Sequence, residues 1–303
     1  QILLSDAEDI HSWVEIQLIE KTGDFVREYD GTANGRITTI LAPHAPYTCD
    51  DDFLRKVAKK AQALGTGIHI HASENAQQTE DSLNAHGKTP IQILEDTGVL
   101  DSRTILAHIC GATEADLELL EKYQTSVAHA PKTYLKLAMG FAPVTELRQR
   151  GIPVGLATDG AVSNNTMDIL ESMRLMAMTQ KESNGSSIAM PLHEVLTIAT
   201  TDSAKVYGMG DDLGALEVGK LADITLIDLS GLHHQPLHNI GANLVYSARA
   251  SDVQTVICDG QVIMQDRQLL TIDKAEVISQ VQASMERIAK KVPNARIQMY
   301  PQS

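Results

Sequence analysis

Between residues 37 and 160 the apolar positions alternate between two periods. Short runs rich in β-branched residues end at a polar side chain, and each is followed by a stretch whose apolar residues recur every three or four positions. The first run, Ile37-Thr38-Thr39-Ile40-Leu41-Ala42, ends at Pro43-His44. A helix is predicted from Asp51, with Phe53, Leu54, Val57, Ala58, Ala61 and Leu64 on one face and Gly65 and Gly67 as its stop. Ile68-His69-Ile70-His71 is the next strand, followed by a polar helical stretch and a second helix around Ile91 to Leu94. Thr104-Ile105-Leu106-Ala107 leads to His108, after which Thr113 and Asp116 resemble a helix-start box before Leu117, Leu119 and Leu120. Ser126-Val127-Ala128 ends at His129, and Pro153-Val154-Gly155-Leu156-Ala157-Thr158 ends at Asp159.

Successive terminal residues are roughly 20 to 40 positions apart, room for a strand, a loop and a helix, so five βα units of an α/β barrel or open parallel sheet are expected. In a barrel the C-terminal strand ends carry the chemistry, and that is where these polar residues fall. The texture changes near Asp211. Leu216 to Asp228 reads as a turn and a strand, and Val253 to Ile257, Asp259-Gly260 and Gln261 to Met264 read as a β-hairpin. Lys274 to Lys291 is predicted helical, with Val277, Ile278, Val281, Met285 and Ile288 on one face. Ile10, Trp13, Val14, Gln17 and Leu18 give the start of the chain a helical pattern, and with Gln1 in first place a missing N-terminal segment is expected. The expected division is 1–209 for the βα units, 210–272 for part of a small β domain and 273–303 for a C-terminal helix and tail.

The length of 303 residues and 43% hydrophobic content allow a large core. The net charge of −14 disfavours nucleic acid and anionic membrane surfaces and suits a small neutral or cationic substrate. Cys49, Cys110 and Cys258 are far apart and form no Cys-x-x-Cys pair, which argues against a zinc knuckle or a disulfide framework and for a reducing cytoplasm. No run of about 18 apolar residues is present, so no membrane partner is expected. A homo-oligomer is left open.

Taken singly, a histidine at a strand end is more often structural than functional. Three ligand-type residues at successive strand ends, His71, Glu74 three residues beyond it and Asp159, are hard to explain by packing, and they supply what a divalent-metal hydrolase needs: imidazole, carboxylate and a nearby acid or base. His233, His234 and His238 look like a metal tract but are expected to be solvated loop, and Met167, Met173, Met176 and Met178 to be mostly core filler in a helix. Asn164-Asn165 is expected to form a turn that orients Asp159.

Ala42-Pro43-His44-Ala45-Pro46-Tyr47, Ile70-His71-Ala72-Ser73-Glu74, Leu106-Ala107-His108 and Ala157-Thr158-Asp159-Gly160-Ala161-Val162-Ser163-Asn164-Asn165 resemble consecutive motifs of the amidohydrolase superfamily, nearest to its methylthioadenosine/S-adenosylhomocysteine deaminase and triazine hydrolase branch. Gly214 to Asp223 resembles the linker returning to that family's small β domain, and the resemblance runs from about Ile37 to Ile272. It implies an α/β fold, a partial TIM (β/α)8-type barrel of about five C-terminal βα units, then part of a small β domain and a C-terminal helix. It also implies one divalent metal ion, Zn2+ first and Fe2+ second, with His71 as fifth-strand ligand and Asp159 as eighth-strand ligand and proton shuttle. Glu74 would protonate a ring nitrogen of the substrate, His108 would orient or polarise the attacking water, and His44 would contact the substrate.

The implied reaction is hydrolytic deamination of a small-molecule heterocyclic substrate such as an adenine nucleoside derivative. The alternatives are a chlorohydrolase or cyclic-amide hydrolase on the same site, or an inactive truncated fragment. The family's first-strand His-x-His pair has no counterpart before His44, and His69-x-His71 lies too close to Asp159 to take its place. His69 is therefore read as a deeper barrel-interior residue and the first three strands as absent. His129-Ala130-Pro131-Lys132-Thr133-Tyr134 stands where many relatives read His-Asn-Pro-x-Ser-Asn, and the role of His129 is left undecided.

Overall fold

A computed structural model of the protein describes residues 3–4 and 12–291, with side chains from residue 18 onward. Of the expected N-terminal helical face, Ile10 and the side chains of Trp13, Val14 and Gln17 lie outside the described residues. The chain forms two compact units, Gln1–Leu221 with Leu229–Asp252, and Ala222–Asp228 with Val253–Ser303.

The first unit runs β1 (Leu3–Leu4), α1 (Ser12–Tyr29), β2 (Ile40–Pro43), α2 (Asp51–Leu64), β3 (Gly67–Ala72), α3 (Ala76–His86), α4 (Pro90–Asp96), β4 (Thr104–His108), α5 (Glu114–Tyr123) and β5 (Ser126–His129). It continues with α6 (Pro131–Leu137), α7 (Val144–Gln149), β6 (Val154–Leu156), α8 (Ala161–Asn164), α9 (Ile169–Ser183), α10 (Leu192–Thr197), α11 (Ser203–Val206) and, after the excursion into the second unit, α12 (Ile240–Tyr246). Its six strands pair in sequential order and in parallel, as consecutive barrel strands do. The sheet thus has one strand more than the five expected, because β1 pairs Leu3 with Ala42 and Leu4 with Pro43. Two residues are too few to leave a periodic signal in the sequence.

Local chemistry accounts for the helix ends. Asp50 caps α2 by accepting from the Phe53 N–H at 2.7 Å, and Gly65 closes it in the left-handed conformation with φ +66°. Thr113 and Asp116 form the expected capping box of α5. The strands carry the core: Ile68, Ile70, Ile105, Leu106, Val127 and Val154 are buried, and the α2 face of Phe53, Leu54, Val57, Ala58 and Ala61 closes over them. Of the four methionines, Met173 and Met176 are buried on α9, whereas Met178 is exposed and Met167 precedes the helix, so half of that expected core filler is not core.

The expected boundary at 209/210 does not match the division observed. Residues 229–252 belong to the first unit, where α12 packs on α9 and α10 and the Arg174 guanidinium donates to the Ala248 carbonyl. The second unit is an antiparallel sheet of β7 (Ile224–Ile227), β8 (Val253–Cys258), β9 (Gln261–Gln265) and β10 (Gln268–Leu269), followed by α13 (Lys274–Lys291). The β8–β9 turn is Asp259-Gly260, both at positive φ, as a two-residue hairpin requires. Among the described residues no helix is long and apolar enough to cross a membrane.

Candidate functional site

Strand alternation places His69 and His71 on one face of β3, because Ile68, Ile70 and Ala72 point into the buried layer while the two histidines are half-buried. The ring Nδ1 of His71 lies 2.7 Å from the carbonyl oxygen of His44, whose peptide also accepts the His71 N–H at 3.0 Å. A carbonyl can only accept, so Nδ1 carries the proton and Nε2 presents a lone pair. That backbone-carbonyl partner is the usual way of fixing a metal-ligating imidazole.

His108 ends β4 and stands at positive φ (+80°), as does the following Ile109 (+54°). This turn stacks its ring on that of His71, with centroids 5.2 Å apart and planes at 13°. Burial first, and then the neighbouring His71, lower its pKa to about 4, although Asp159 opposes them, so it is a neutral imidazole at pH 7. His69 is lowered to about 4 by burial and by His71, with Asp159 again opposing. Four groups drawn from three strands, His69, His71, His108 and Asp159, are therefore within electrostatic reach of one another.

Asp159 follows β6 in the left-handed region (φ +64°), which turns its carboxyl back toward its own loop. Gly160 N–H donates to Oδ1 at 2.7 Å and the Ser163 hydroxyl to Oδ2 at 2.6 Å. Burial pushes the carboxyl up, but these hydrogen bonds, and then the neighbouring His108 once acid protonates it, outweigh burial, and the group lies below the ordinary aspartate value. The fully buried Asn164 secures the loop by donating to the Thr158 carbonyl at 2.5 Å. The expected orienting role of Asn164-Asn165 is thus divided: Ser163 grips the carboxylate and Asn164 the backbone beside it.

Glu74 is half-buried at the top of the β3 loop. The exposed Tyr47 donates to its Oε1 at 3.2 Å, and burial and the Glu74 charge together push the Tyr47 phenol up to about 12. The Glu74 loop is clamped to the β4 loop: Gly111 N–H donates to the Ser73 carbonyl at 2.8 Å, and Thr79 Oγ donates to the Gly111 carbonyl at 2.8 Å. His44 lies beside the group, its ring 5.0 Å from that of His71 and its Nδ1 2.8 Å from Thr48 Oγ1.

His129 sits deeper. It is fully buried, burial lowers its pKa to about 3, and its ring meets Tyr134 edge-on at 5.2 Å. Both of its ring nitrogens and Nδ1 of His108 lack a hydrogen-bond partner. Tyr134, which with Ala130 and Thr133 departs from the family's pattern, is itself buried and accepts the Ala130 N–H on its hydroxyl at 2.8 Å. Sequence reasoning gave no role to Tyr47, Ser163 or Gly111. The first two lie inside quoted motifs, three residues after His44 and four after Asp159, but nothing in a hydroxyl's sequence position says which carboxylate it meets.

The donors suit a divalent ion in kind: a lone pair on His71 Nε2 and an ionised Asp159. Among the described residues the group of three ligand side chains gathered within 4.8 Å is elsewhere, at His233, His234 and Asp252. Among the described residues the strand ends thus gather no set of three such donors within 4.8 Å, the number an ordinary catalytic zinc takes.

The amidohydrolase family profile matches residues 14–263. The chain belongs to the amidohydrolase family. A 5-methylthioadenosine/S-adenosylhomocysteine deaminase of Pelotomaculum thermopropionicum is 41% identical over 273 residues, covering 90% of this chain and 63% of the relative. One from Desulforudis audaxviator is 42% identical over 269 residues, covering 89% and 63%. An adenosine deaminase from Xanthomonas campestris, solved with bound zinc, superposes with a TM-score of 0.86 at 32% identity over 91% of this chain and 62% of that one. An atrazine chlorohydrolase from Arthrobacter aurescens, at 24% identity and a TM-score of 0.82, shares the fold. The chain thus spans less than two-thirds of the length of these relatives.

Proposed function

We propose that the whole-length protein is a metal-dependent aminohydrolase that releases ammonia from an adenine nucleoside derivative. The observation that carries this reading is the fixed tautomer of His71, whose ring stacks on His108 in a cluster that His69 and Asp159 influence electrostatically. The names of the relatives support the substrate class, and the zinc of the Xanthomonas campestris deaminase supports Zn2+ ahead of Fe2+.

When bound, a divalent ion held by His71 Nε2 and Asp159 supplies the acidification of water that makes a nucleophile available near neutral pH. His108, kept neutral by burial, orients that water beside the stacked His71 ring. Glu74, whose carboxylate accepts from the Tyr47 hydroxyl, would take the first proton released by the water and deliver it to the ring nitrogen next to the attacked carbon. Asp159, held in place by Ser163, would take the remaining hydroxyl proton as the carbonyl forms and pass it to the departing amine, so that ammonia leaves and both carboxylates are restored. His44 contacts the substrate from the rim. The substrate is a small heterocycle, nucleic acid and membrane have no part, and the reducing cytoplasm suits the three free cysteines.

The test is Glu74→Gln in the natural full-length protein, with methylthioadenosine, S-adenosylhomocysteine and adenosine as substrates. Ammonia release should fall by about 10²-fold or more, the scale of a lost general acid, with metal content unchanged. Undiminished turnover would remove Glu74 from the mechanism. Chloride release from chlorinated analogues in place of ammonia would assign the site to the chlorohydrolase class.

A further inference from the structure

Outside the strand-end site, two adjacent histidines converge on one carboxylate. His233 and His234 lie on a single 3-10 turn, Leu232–His234, and Asp252 ends another, Ala250–Asp252, both in the first unit. The two Nε2 atoms stand 2.9 and 3.2 Å from the same oxygen, Asp252 Oδ2, and the rings are 4.1 Å apart. The sequence led us to expect solvated loop here. Instead the side chain of His234 is fully buried, that of Asp252 nearly so, and that of His233 about one-third exposed (0, 11 and 32%).

We infer that His233 Nε2, His234 Nε2 and Asp252 Oδ2 form a structural binding site for a divalent transition-metal ion of the zinc type, with a water completing the shell on the exposed side of His233. The two edges that share the carboxylate oxygen meet the requirements of such an ion. With metal–ligand bonds of about 2.05 Å, edges of 2.9 and 3.2 Å subtend angles of about 90° and about 100°, within the range a four- or five-coordinate ion accepts. All three donor atoms lie within 4.8 Å of one another. Two imidazoles and one carboxylate select zinc-type ions over calcium or magnesium, which prefer all-oxygen shells.

The surroundings also leave room for the required proton positions. The Arg249 N–H donates to Asp252 Oδ2 at 2.9 Å and braces the carboxylate, as hydrogen-bond donors behind a metal-ligating carboxylate do. Asn243 Nδ2 donates one hydrogen to the His234 carbonyl at 2.7 Å and the other makes a long, weak contact of 3.4 Å to His234 Nδ1, which the ion displaces when Nδ1 takes the proton. Gly231 admits the His233 ring: a Cβ at that position would lie 2.8 Å from His233 Cε1. The ion would tie the turn at 232–234 to the turn at 250–252, and its binding free energy would add directly to the stability of the unit.

The competing account is a hydrogen-bonded network in which each Nε2–H donates to Asp252. The two differ in the proton they place on each ring, so the experiment is long-range ¹H–¹⁵N NMR of the chelator-stripped chain titrated with Zn2+. One equivalent should move His233 and His234 together from Nε2–H to Nδ1–H. By calorimetry, His233→Ala should weaken Zn2+ binding at this site at least tenfold, whereas His71→Ala should leave both the affinity and the two ring signals unchanged. The inference is overturned if the tautomers do not respond to Zn2+, or if His71→Ala abolishes the response and so moves the ion to the strand ends. The NMR readout needs no substitution and holds even if His233→Ala does not fold.

Discussion

Gly111→Ala offers a sharp test of how the Glu74 loop is held. At most glycines outside the left-handed region, alanine is neutral or stabilises by about 0.4–1 kcal/mol by restricting the unfolded chain. Gly111 has no left-handed φ, yet a Cβ there would lie 2.1 Å from the Asn75 carbonyl oxygen, 2.3 Å from its carbon and 2.8 Å from the Ala76 nitrogen. All three are backbone atoms, so no side chain can swing aside. Ordinary contact requires the two loops to separate by more than 1 Å, roughly the difference between 2.1 Å and the contact distance of about 3.4 Å. That motion breaks the bond from Gly111 N–H to the Ser73 carbonyl and the buried one from Thr79 Oγ to the Gly111 carbonyl. Two hydrogen bonds at about 1 kcal/mol each, with about 1–3 kcal/mol of overpacking, give a loss of about 3–5 kcal/mol. Urea unfolding followed by circular dichroism should show a midpoint lower by about 1–5 M, for slopes of about 1–3 kcal/mol/M. A loss below about 1 kcal/mol would refute the account, since it would mean that the loops are not packed backbone against backbone.

Three further outcomes follow from the site. His129 is buried and neutral, with a folded pKa of about 3 against 6.5 in the unfolded chain, so the unfolded state binds the extra proton. Its contribution to stability is complete above pH 6.5 and is lost as pH falls toward 3, by about 1.4 kcal/mol per pH unit. His129→Leu should flatten the measured stability curve across that window by one proton, and an unchanged slope would place His129 in water. Ser163→Ala removes a donor from Asp159 Oδ2, so its carboxyl should titrate at higher pH in ¹³C NMR while that of Asp252 stays fixed. Tyr47→Phe takes the hydroxyl from Glu74 Oε1 and, in the full-length protein, should lower turnover several-fold without changing metal content; an unaffected rate would make Tyr47 a bystander.

How much of this was legible in the sequence depends on the range of the interaction concerned. The βα alternation was legible because each strand and helix buries its own apolar face, so that Ile68 and Ile70 or Leu117 and Leu120 announce themselves at spacings of two and three. The capping of α5 and the Asp259-Gly260 hairpin were legible because both are settled within four residues. The placement of His71 and His108 at the ends of β3 and β4 was legible for the same reason, whereas Asp159 lies three residues beyond the end of β6.

What escaped was whatever one loop does to another. The His71 tautomer is set by a carbonyl 27 residues away, the hold on Glu74 by the hydroxyl of Tyr47, and the loop clamp by a glycine whose neighbours are Asn75 and Ala76. His234 shows the limit from the other side: a histidine pair in a polar stretch carries no hydrophobic period, so its burial against Asp252 depends on a contact 18 residues distant. The local code fixes which side chains reach the strand ends. Their protonation states, and so their chemistry, are set by partners that only the folded chain brings within hydrogen-bond distance.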